Sequence, residues 1–267
     1  MMRALWTSAL GMTGQQMNVD VIANNLANVN TTGYKKERVE FKDLIYEKMN
    51  NAYSYDGEGK PVNLQVGHGA YPVATVKSYS PGNFQQTENP LDFAIDGPGF
   101  FAFKDAQGNS IYSKDGSFKL SVSDEGTKLV STDGYPVLDD AGSEIFLTTD
   151  ASKLSISSSG ELMYTDENGV PQSMGQTLGM VSFINPAGLE SLGHNMLGVT
   201  SASGQPISQD EASIKSTVQQ GFLESSNVQV VEEMVKLIMA QRAYEINSKS
   251  IQSSDEMLGI ANNLRRG

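Results

Sequence analysis

Few side chains in this sequence have the types and spacing that enzyme chemistry requires. The two histidines, His68 and His194, each follow a glycine in a loop-like setting, and no serine lies in a Gly-x-Ser-x-Gly nucleophile elbow. Cysteine is absent, which excludes thiol catalysis and thiolate metal ligands in this chain. We therefore predict that the protein has no catalytic residue and is not an enzyme.

Phosphate, calcium and sugar sites have little support either. The run Gly57-Glu58-Gly59-Lys60 places a lysine after glycines, but a P-loop also needs a glycine where Ser54 stands. None of the Asp-Gly pairs continues into the alternating acidic pattern of an EF-hand loop. Paired carboxylates for glycoside cleavage remain possible in so acidic a chain, although the spacing selects no pair. The sequence predicts no cofactor and no metal site.

Composition narrows the class of protein further. The chain has 267 residues, 39% of them hydrophobic, and a formal net charge of −12, so it can bury a core but lacks the basic face that nucleic acid requires. It has no apolar run of about 18 residues, which argues against a membrane span. Its first twelve residues resemble the apolar part of a signal peptide, but polar residues continue the same periodic pattern. We predict that no leader is cleaved.

Both ends of the chain carry large residues at heptad spacing. No proline or glycine occurs between Asn227 and Leu258, so two long helices are expected, the first of about 27 residues. We predict that the helices pair as in a coiled coil and that their apolar rows form an assembly interface. Ordinary amphipathic helices packed on the protein's own core are the alternative. The predicted interface residues are Leu5, Met12, Val19, Leu26, Val230, Leu237, Tyr244, Ile251 and Leu258.

The middle of the chain has a different character. Tight-turn pairs such as Asp115-Gly116 and Asp133-Gly134 separate short strand-like runs, a pattern typical of antiparallel hairpins. The predicted fold class is therefore α+β, with paired, coiled-coil-like N- and C-terminal helices flanking an inserted antiparallel β domain. Residues 1–35 and 225–267 would form the helical polymerisation domain, 36–70 an extended linker, and 71–224 the outer β domain.

An Asn-rich stretch closes the first helix. Asparagine tolerates left-handed backbone conformations, so this stretch predicts a helix stop followed by a turn at Gly33. The run Asn24-Asn25-Leu26-Ala27-Asn28, followed by Thr32-Gly33-Tyr34-Lys35, resembles the N-terminal signature of flagellar rod and hook proteins. Two later runs, Leu91 to Phe101 and Glu224 to Leu258, resemble the opening of that family's β domain and its C-terminal helix. The similarity covers most of the chain and is greatest to distal-rod members.

This resemblance implies a structural subunit of the basal-body distal rod, a hollow helical drive shaft that transmits torque from motor to hook. Its implied partners are further copies of itself, the proximal-rod proteins, the hook protein, the ring or bushing proteins of the envelope and the flagellar type III export apparatus. The implied location is the periplasm or cell wall, outside the cytoplasmic membrane. A proximal-rod or hook-type sibling is one alternative; a secreted, β-rich carbohydrate-active enzyme is another, from a different class.

Two pairs of residues have more specific expected roles. Phe41 and Ile45 have the aromatic-x-x-x-aliphatic spacing that resembles the export element of rod and hook substrates, although a short amphipathic turn would have it too. Tyr53 and Tyr55 lie in a segment that, by resemblance, is specific to distal rods. Because tyrosine offers a large contact area with few rotatable bonds, we predict that both dock on a neighbouring subunit. A neutral surface loop is the alternative.

Overall fold

The computed structural model describes residues 2–50, 64–123, 126–147, 154–165, 171–209, 212 and 215–264. The chain forms two compact units. The helix unit comprises Met1–Ala27, Glu37–Val76 and Gln229–Gly267, and the β unit comprises Asn28–Lys36 and Lys77–Val228. The predicted domain boundaries lie at 35/36, 70/71 and 224/225. The division into polymerising and outer parts stays a prediction.

Two long helices make up most of the helix unit. Helix α1 spans Met2–Ala27 and helix α2 spans Val230–Leu264. Glu232 and Glu233 lie in the first turn of α2, where their negative charge complements the positive end of the helix dipole. Neither helix is long and apolar enough to cross a membrane, within the residues that the structure describes.

Two small sheets complete this unit. Strand β1 (Glu37–Asp43) pairs with β4 (Ala70–Lys77), and β2 (Tyr46–Asn50) pairs antiparallel with β3 (Leu64–Gly67). Strands therefore occupy described parts of the segment that the sequence predicts to be an extended linker.

The β unit consists of short strands in several sheets. The largest sheet has six strands in the order β16-β17-β8-β7-β15-β18, two sheets have three strands each (β11-β10-β9 and β12-β13-β14), and β6-β19 and β5-β20 form pairs. Every strand register recorded for this unit is antiparallel. The strands are β5 (Phe84–Gln86), β6 (Phe93–Asp96), β7 (Phe100–Lys104), β8 (Ser110–Ser113), β9 (Phe118–Ser123), β10 (Gly126–Ser131), β11 (Phe146–Leu147), β12 (Leu154–Ile156), β13 (Glu161–Thr165), β14 (Pro171–Thr177), β15 (Met180–Ser182), β16 (Glu190–Gly193), β17 (Met196–Gly198), β18 (Ile207–Ser208), β19 (Thr217–Gln220) and β20 (Phe222–Glu224).

Strand β7 organises the core of the β unit. Successive side chains of a strand point to opposite faces, so Phe101 and Phe103 enter one apolar cluster while Phe100 enters another. The Phe118 ring meets the Phe101 ring edge to face, with centroids 5.1 Å apart. Burial on both faces explains why the run from Phe100 to Phe103 is apolar without alternation.

The predicted Asp-Gly turns lie between successive strands of the β unit. At Asp133-Gly134 the Gly134 amide donates to the Ser131 carbonyl at 3.0 Å, and Gly134 has a φ of 89°, a conformation that glycine adopts without steric cost. Gly116 is needed for a different reason, since a Cβ there would lie 1.7 Å from the Phe93 carbonyl oxygen. The predicted α+β class, with paired terminal helices flanking an antiparallel β domain in the sequence, is confirmed.

Candidate assembly site

Helices α1 and α2 pack against each other in antiparallel orientation. Ser8 Oγ donates to Ser250 Oγ at 3.2 Å, and Asn25 Nδ2 donates to Glu233 Oε2 at 3.3 Å. The residue numbers in each pair add up to the same value, so the two contacts belong to one continuous register. We call this line of contact the helix seam.

The helix seam consists mainly of small and polar residues. Gly11 faces Asn247 so closely that a Cβ on the glycine would lie 2.8 Å from Nδ2 of the asparagine. Ile22 is the only large aliphatic side chain among the helix residues that are described and buried. The buried residues are Ser8, Gly14, Ile22 and Asn25 of α1 and Glu233, Ala240 and Ser254 of α2.

The predicted heptad rows flank this seam and remain partly accessible. Val230 is 42% exposed, and the other eight residues of the rows are half-buried: Leu5, Met12, Val19, Leu26, Leu237, Tyr244, Ile251 and Leu258. Antiparallel pairing of the two helices thus uses small residues and leaves much of the larger apolar surface uncovered.

Three of these residues meet in an open apolar groove. Met12, Tyr244 and Ile251 line a cavity of about 730 Å³ on the helix unit, together with Met17 and Pro72. The groove therefore combines residues of both helices with a residue of strand β4. Its other lining residues are Ala9, Thr13, Gln16 and Asp20.

Helix α2 exposes a further set of large apolar side chains. Val231 is 76% exposed and Met239 is 66% exposed, although both side chains are of types that are usually buried. Exposed apolar side chains that adjoin one another, as residues three or four positions apart on a helix do, mark interaction sites in soluble proteins. The set comprises Val231, Met234, Val235, Ile238, Met239, Ile246, Met257, Ile260 and Leu264.

The Asn-rich signature is divided between the two units. Asn25 is 1% exposed; its Nδ2 donates to the Glu37 carbonyl at 2.8 Å, and its Oδ1 accepts the Glu37 amide at 2.9 Å. Asn24 and Ala27 are exposed and Leu26 is half-buried. Asn28 starts the β unit, where its carbonyl accepts the Thr31 amide at 3.2 Å.

The two residues proposed for export lie at β1 and just after it. The Phe41 ring lies over Gly14 of α1, where a glycine Cβ would come within 2.9 Å of the ring. Ile45 is 83% exposed between β1 and β2. These positions describe the folded chain, so an export role in the unfolded chain stays a prediction. The docking candidates Tyr53 and Tyr55 lie outside the described residues.

A buried charge cluster in the β unit joins distant parts of the chain. Lys35 Nζ donates to Glu224 Oε1 at 2.5 Å, and Lys114 Nζ lies 3.8 Å from Glu224 Oε2. The three side chains are almost completely buried. The Gly82 amide also donates to Glu224 Oε1, at 2.9 Å. We call Lys35, Lys114 and Glu224 the charge clasp. Lys35 lies shortly after Gly33, the glycine of the Asn-rich signature, and Glu224 lies shortly before α2.

Burial removes water from the side chains of this cluster and so disfavours their charged forms. Desolvation lowers the pKa of Lys114 to about 8, while the nearby Glu224 carboxylate raises it and the Lys35 charge lowers it further. Lys114 Nζ also donates to the Gly97 carbonyl at 2.7 Å and lies 5.6 Å from the centroid of the Phe100 ring. The ammonium group therefore has partners that partly replace its lost water.

The Gly33 turn is held from several sides within the β unit. The Gly33 amide donates to the Glu224 carbonyl at 2.8 Å, and Gly33 has a φ of 68°, as the predicted turn requires. Thr32 Oγ1 donates to Asp115 Oδ1 at 2.9 Å, and Asn195 Nδ2 donates to the Thr32 carbonyl at 2.9 Å. Burial raises the pKa of the Asp115 carboxyl, while hydrogen bonds from the Ser117 amide and from Thr32 lower it.

The histidines occupy different surroundings. His68 Nε2 lies 3.8 Å from Glu47 Oε2 in the helix unit, and His194 Nδ1 lies 3.4 Å from Asp133 Oδ1 in the β unit. Both imidazoles are substantially exposed. These are surface contacts with carboxylates, which contribute little energy.

Several residues that shape the site are not predicted from the sequence. The seam residues Ser8, Gly11 and Ser250 lie beside the apolar heptads, and small residues alone do not recur at heptad spacing along either helix in a way that would single them out. Lys114 and Glu224 offer no signal either, because they meet only through long-range strand pairing.

A helix pair whose seam is mostly small and polar, in a chain that also has a separately packed β unit, is typical of a structural subunit. Families of known proteins agree with this class. Residues 5–35 match the family described as flagella basal body rod protein, residues 94–164 the flagellar hook protein FlgE/F/G D1 domain, and residues 219–264 the flagellar basal body rod FlgEFG protein C-terminal.

Full-length relatives make the assignment more specific. The flagellar basal-body rod protein FlgG of Borreliella burgdorferi is 47% identical over 272 residues, covering 100% of both chains. The FlgG protein of Bacillus subtilis is 38% identical over 273 residues, again covering 100% of both. The flagellar hook-basal body complex protein FlhP of B. subtilis is 32% identical and covers 99% of this chain. The chain belongs to the flagellar basal-body rod protein FlgG family, a family of structural rod proteins.

Proposed function

We propose that this chain is the building block of the flagellar distal rod. Copies of it polymerise through α1 and α2 into a hollow helical shaft that transmits torque from the motor to the hook. The observation that carries this proposal is the position of the helix seam, which leaves Met12, Tyr244 and Ile251 accessible beside it. Membership in the FlgG family supplies the biological setting.

The energetics favour assembly over a lone subunit. Each large apolar side chain that moves from water into a contact contributes about 1.5 to 3 kcal/mol when it becomes fully buried. The net charge of −12 opposes association, so many such contacts are needed. Contacts between unlike surfaces, such as the groove and the exposed face of α2, generate helical filaments when the rotation between copies does not close a ring.

The two units have different roles in this proposal. The terminal helices polymerise, and the β unit, which has its own apolar core, forms the outer part of the shaft. The protein has no catalytic role. The signature glycine Gly33 and the charge clasp then anchor the segment after α1 within the β unit.

Family membership supports a proposal for location and partners. The type III export apparatus would deliver the chain across the cytoplasmic membrane without leader cleavage, with Phe41 and Ile45 as the recognised element. In the periplasm or cell wall the rod would meet the proximal-rod proteins at one end and the hook protein at the other, and would turn inside the bushing rings. The high identity to FlgG proteins over the full length favours a distal-rod subunit over its siblings.

The substitution Ile251→Asp tests the assembly surface. It places a charge in an interface where no partner awaits it, which costs several kcal/mol per subunit. We expect secretion and folding of the β unit to persist while rods fail to form in electron micrographs of purified basal bodies. Val122→Asp is the matched control, because Val122 is 83% exposed in the β unit. Intact rods built from the Ile251→Asp chain would refute the proposed surface.

A further inference from the structure

Few steric features of the helix seam set its register; the main ones are buried Ile22 and the close approach of Gly11 to Asn247. Small and polar residues otherwise recur along the seam at intervals of seven, as at Ala240, Asn247 and Ser254 of α2. A shift of α2 by seven residues would place Ala240 or Ser254 opposite Gly11 in place of Asn247, and each of these fits against a glycine. The apolar rows also repeat every seven residues, so they would match again after such a shift. Neither the spacing of the apolar rows nor that of the seam residues by itself excludes the shifted register.

One polar contact breaks this repetition. Asn25 and Glu233 are 1% and 2% exposed, and Asn25 Nδ2 lies 3.3 Å from Glu233 Oε2. Asn25 is also hydrogen-bonded through both side-chain atoms to the backbone of Glu37, which holds its amide group in one orientation. Glu233 in turn accepts a hydrogen bond from Lys236 Nζ at 2.8 Å. The pair thus joins the end of α1, the start of β1 and the first turn of α2.

We infer that Asn25 and Glu233 are positioning residues that select the register of α1 against α2. In the shift that brings Ala240 opposite Asn25, the Glu233 carboxylate would lie beyond the end of α1 and lose its partner there. In the opposite shift Glu233 would face Asn18. Asn25 would then face Ser226, which lies ahead of α2. An unpaired buried polar group is strongly disfavoured, and a buried asparagine is known to specify coiled-coil register in this way. The selected register is the one that brings Met12 beside Tyr244 and Ile251 in the apolar groove.

Cross-linking of introduced cysteines tests this inference, because the natural chain has no cysteine. The pair Ser8→Cys with Ser250→Cys reports the native register, since these side-chain oxygens lie 3.2 Å apart. The pairs Ser8→Cys with Ala243→Cys and Ser8→Cys with Met257→Cys report shifts by seven residues. Such a shift moves α2 by about 10 Å along its axis, beyond the reach of a disulfide.

The measurement uses purified, full-length, monomeric chain under oxidising conditions. Intrachain disulfides are then quantified on non-reducing gels, so the result does not depend on rod assembly and stands apart from the proposed function. In the natural background we expect the native pair to exceed each shifted pair by at least about tenfold. With Asn25→Leu and Glu233→Leu together, we expect helix content to persist and that ratio to fall about tenfold or more. Asn24→Leu, at the exposed neighbouring position, is the control and should leave the ratio unchanged.

Glu233→Leu alone is the second variant, since it leaves the bonds between Asn25 and Glu37 in place. It should lower the ratio in the same direction. An unchanged ratio in both variants would overturn the inference. Loss of helix content in both would also overturn it, because the pair would then be required for helix pairing itself and not for the choice of register.

Discussion

The β unit and the helix unit bury different kinds of side chain. In the β unit, Phe101, Phe103 and Phe118 are completely buried and pack edge to face. In the helix pair, the buried positions are mostly small or polar, while Val231 and Met239 remain exposed. The β unit therefore buries a large aromatic core of its own, whereas the helix unit leaves much of its larger apolar surface exposed. A polymer subunit needs both, a part that is stable alone and a part that is satisfied only by assembly.

The two units also share a feature. Each contains a buried polar contact between a residue near the end of α1 and a residue near the start of α2: Asn25 with Glu233 in the helix unit and Lys35 with Glu224 in the β unit. Lys35 and Glu224 are 189 positions apart in the chain. Such contacts form only when both ends of the chain are in place, so each unit is completed by segments from both ends.

The largest expected effect comes from the aromatic core of the β unit. Phe118→Ala removes a ring that contacts Phe101 and Phe103 and should lower the free energy of unfolding by about 3 to 5 kcal/mol. Met234→Ala, on the exposed face of α2, should change that free energy by less than about 0.5 kcal/mol. Chemical denaturation of the free chain measures both. Similar decreases in the free energy of unfolding for the two variants would contradict the difference between the units.

A somewhat smaller effect is expected at the charge clasp. Glu224→Gln leaves Lys35 and Lys114 buried without their counter-charge and should cost about 3 kcal/mol of unfolding free energy. Glu144→Gln is a close control, because Glu144 also bridges two lysines, Lys104 and Lys128, but nearer the surface. It should cost less than about 1 kcal/mol, as exposed ion pairs do. Chemical denaturation of the two variants compares their losses of unfolding free energy. A larger loss for Glu224→Gln would show that burial determines the contribution of the ion pairs, and equal losses would contradict it.

The smallest effect concerns pH. Lys114 has a pKa of about 8 in the folded chain and an ordinary value of 10.5. Between these values the unfolded chain holds the proton more tightly than the folded chain, so the free energy of unfolding should rise as pH increases from about 8 to 10.5. The rise is at most about 1.4 kcal/mol for each pH unit, because each unit of pKa difference corresponds to about 1.4 kcal/mol.

Denaturation midpoints across that pH window, compared with those of Lys114→Met, isolate this contribution. The variant should lack the Lys114 part of the slope. An identical slope in both chains would show that Lys114 titrates normally, and would remove the clasp as a source of pH dependence.

Much of the fold is predictable because it depends on local pattern. The heptad rows and the lack of proline predict the long helices, which the structure places at Met2–Ala27 and Val230–Leu264. The Asp-Gly pairs predict the turns, as at Gly134, because a positive φ is a property of a few adjacent residues. The Asn-rich signature predicts the end of α1 and the turn at Gly33 for the same reason.

The face that each helix presents to its partner is not local information. Two rows at heptad spacing run along each helix, one apolar and one of small and polar residues, and periodicity alone does not say which row faces the partner helix. Tertiary packing decides this, because small residues such as Gly11 let the helices approach closely while Asn25 and Glu233 need each other when buried. The same holds for Lys35, Lys114 and Glu224, whose charges are tolerable in the interior only because strand pairing brings them together. The sequence by itself determined the kinds of element and the family; the three-dimensional packing decided which surfaces the subunit covers and which it leaves for its neighbours.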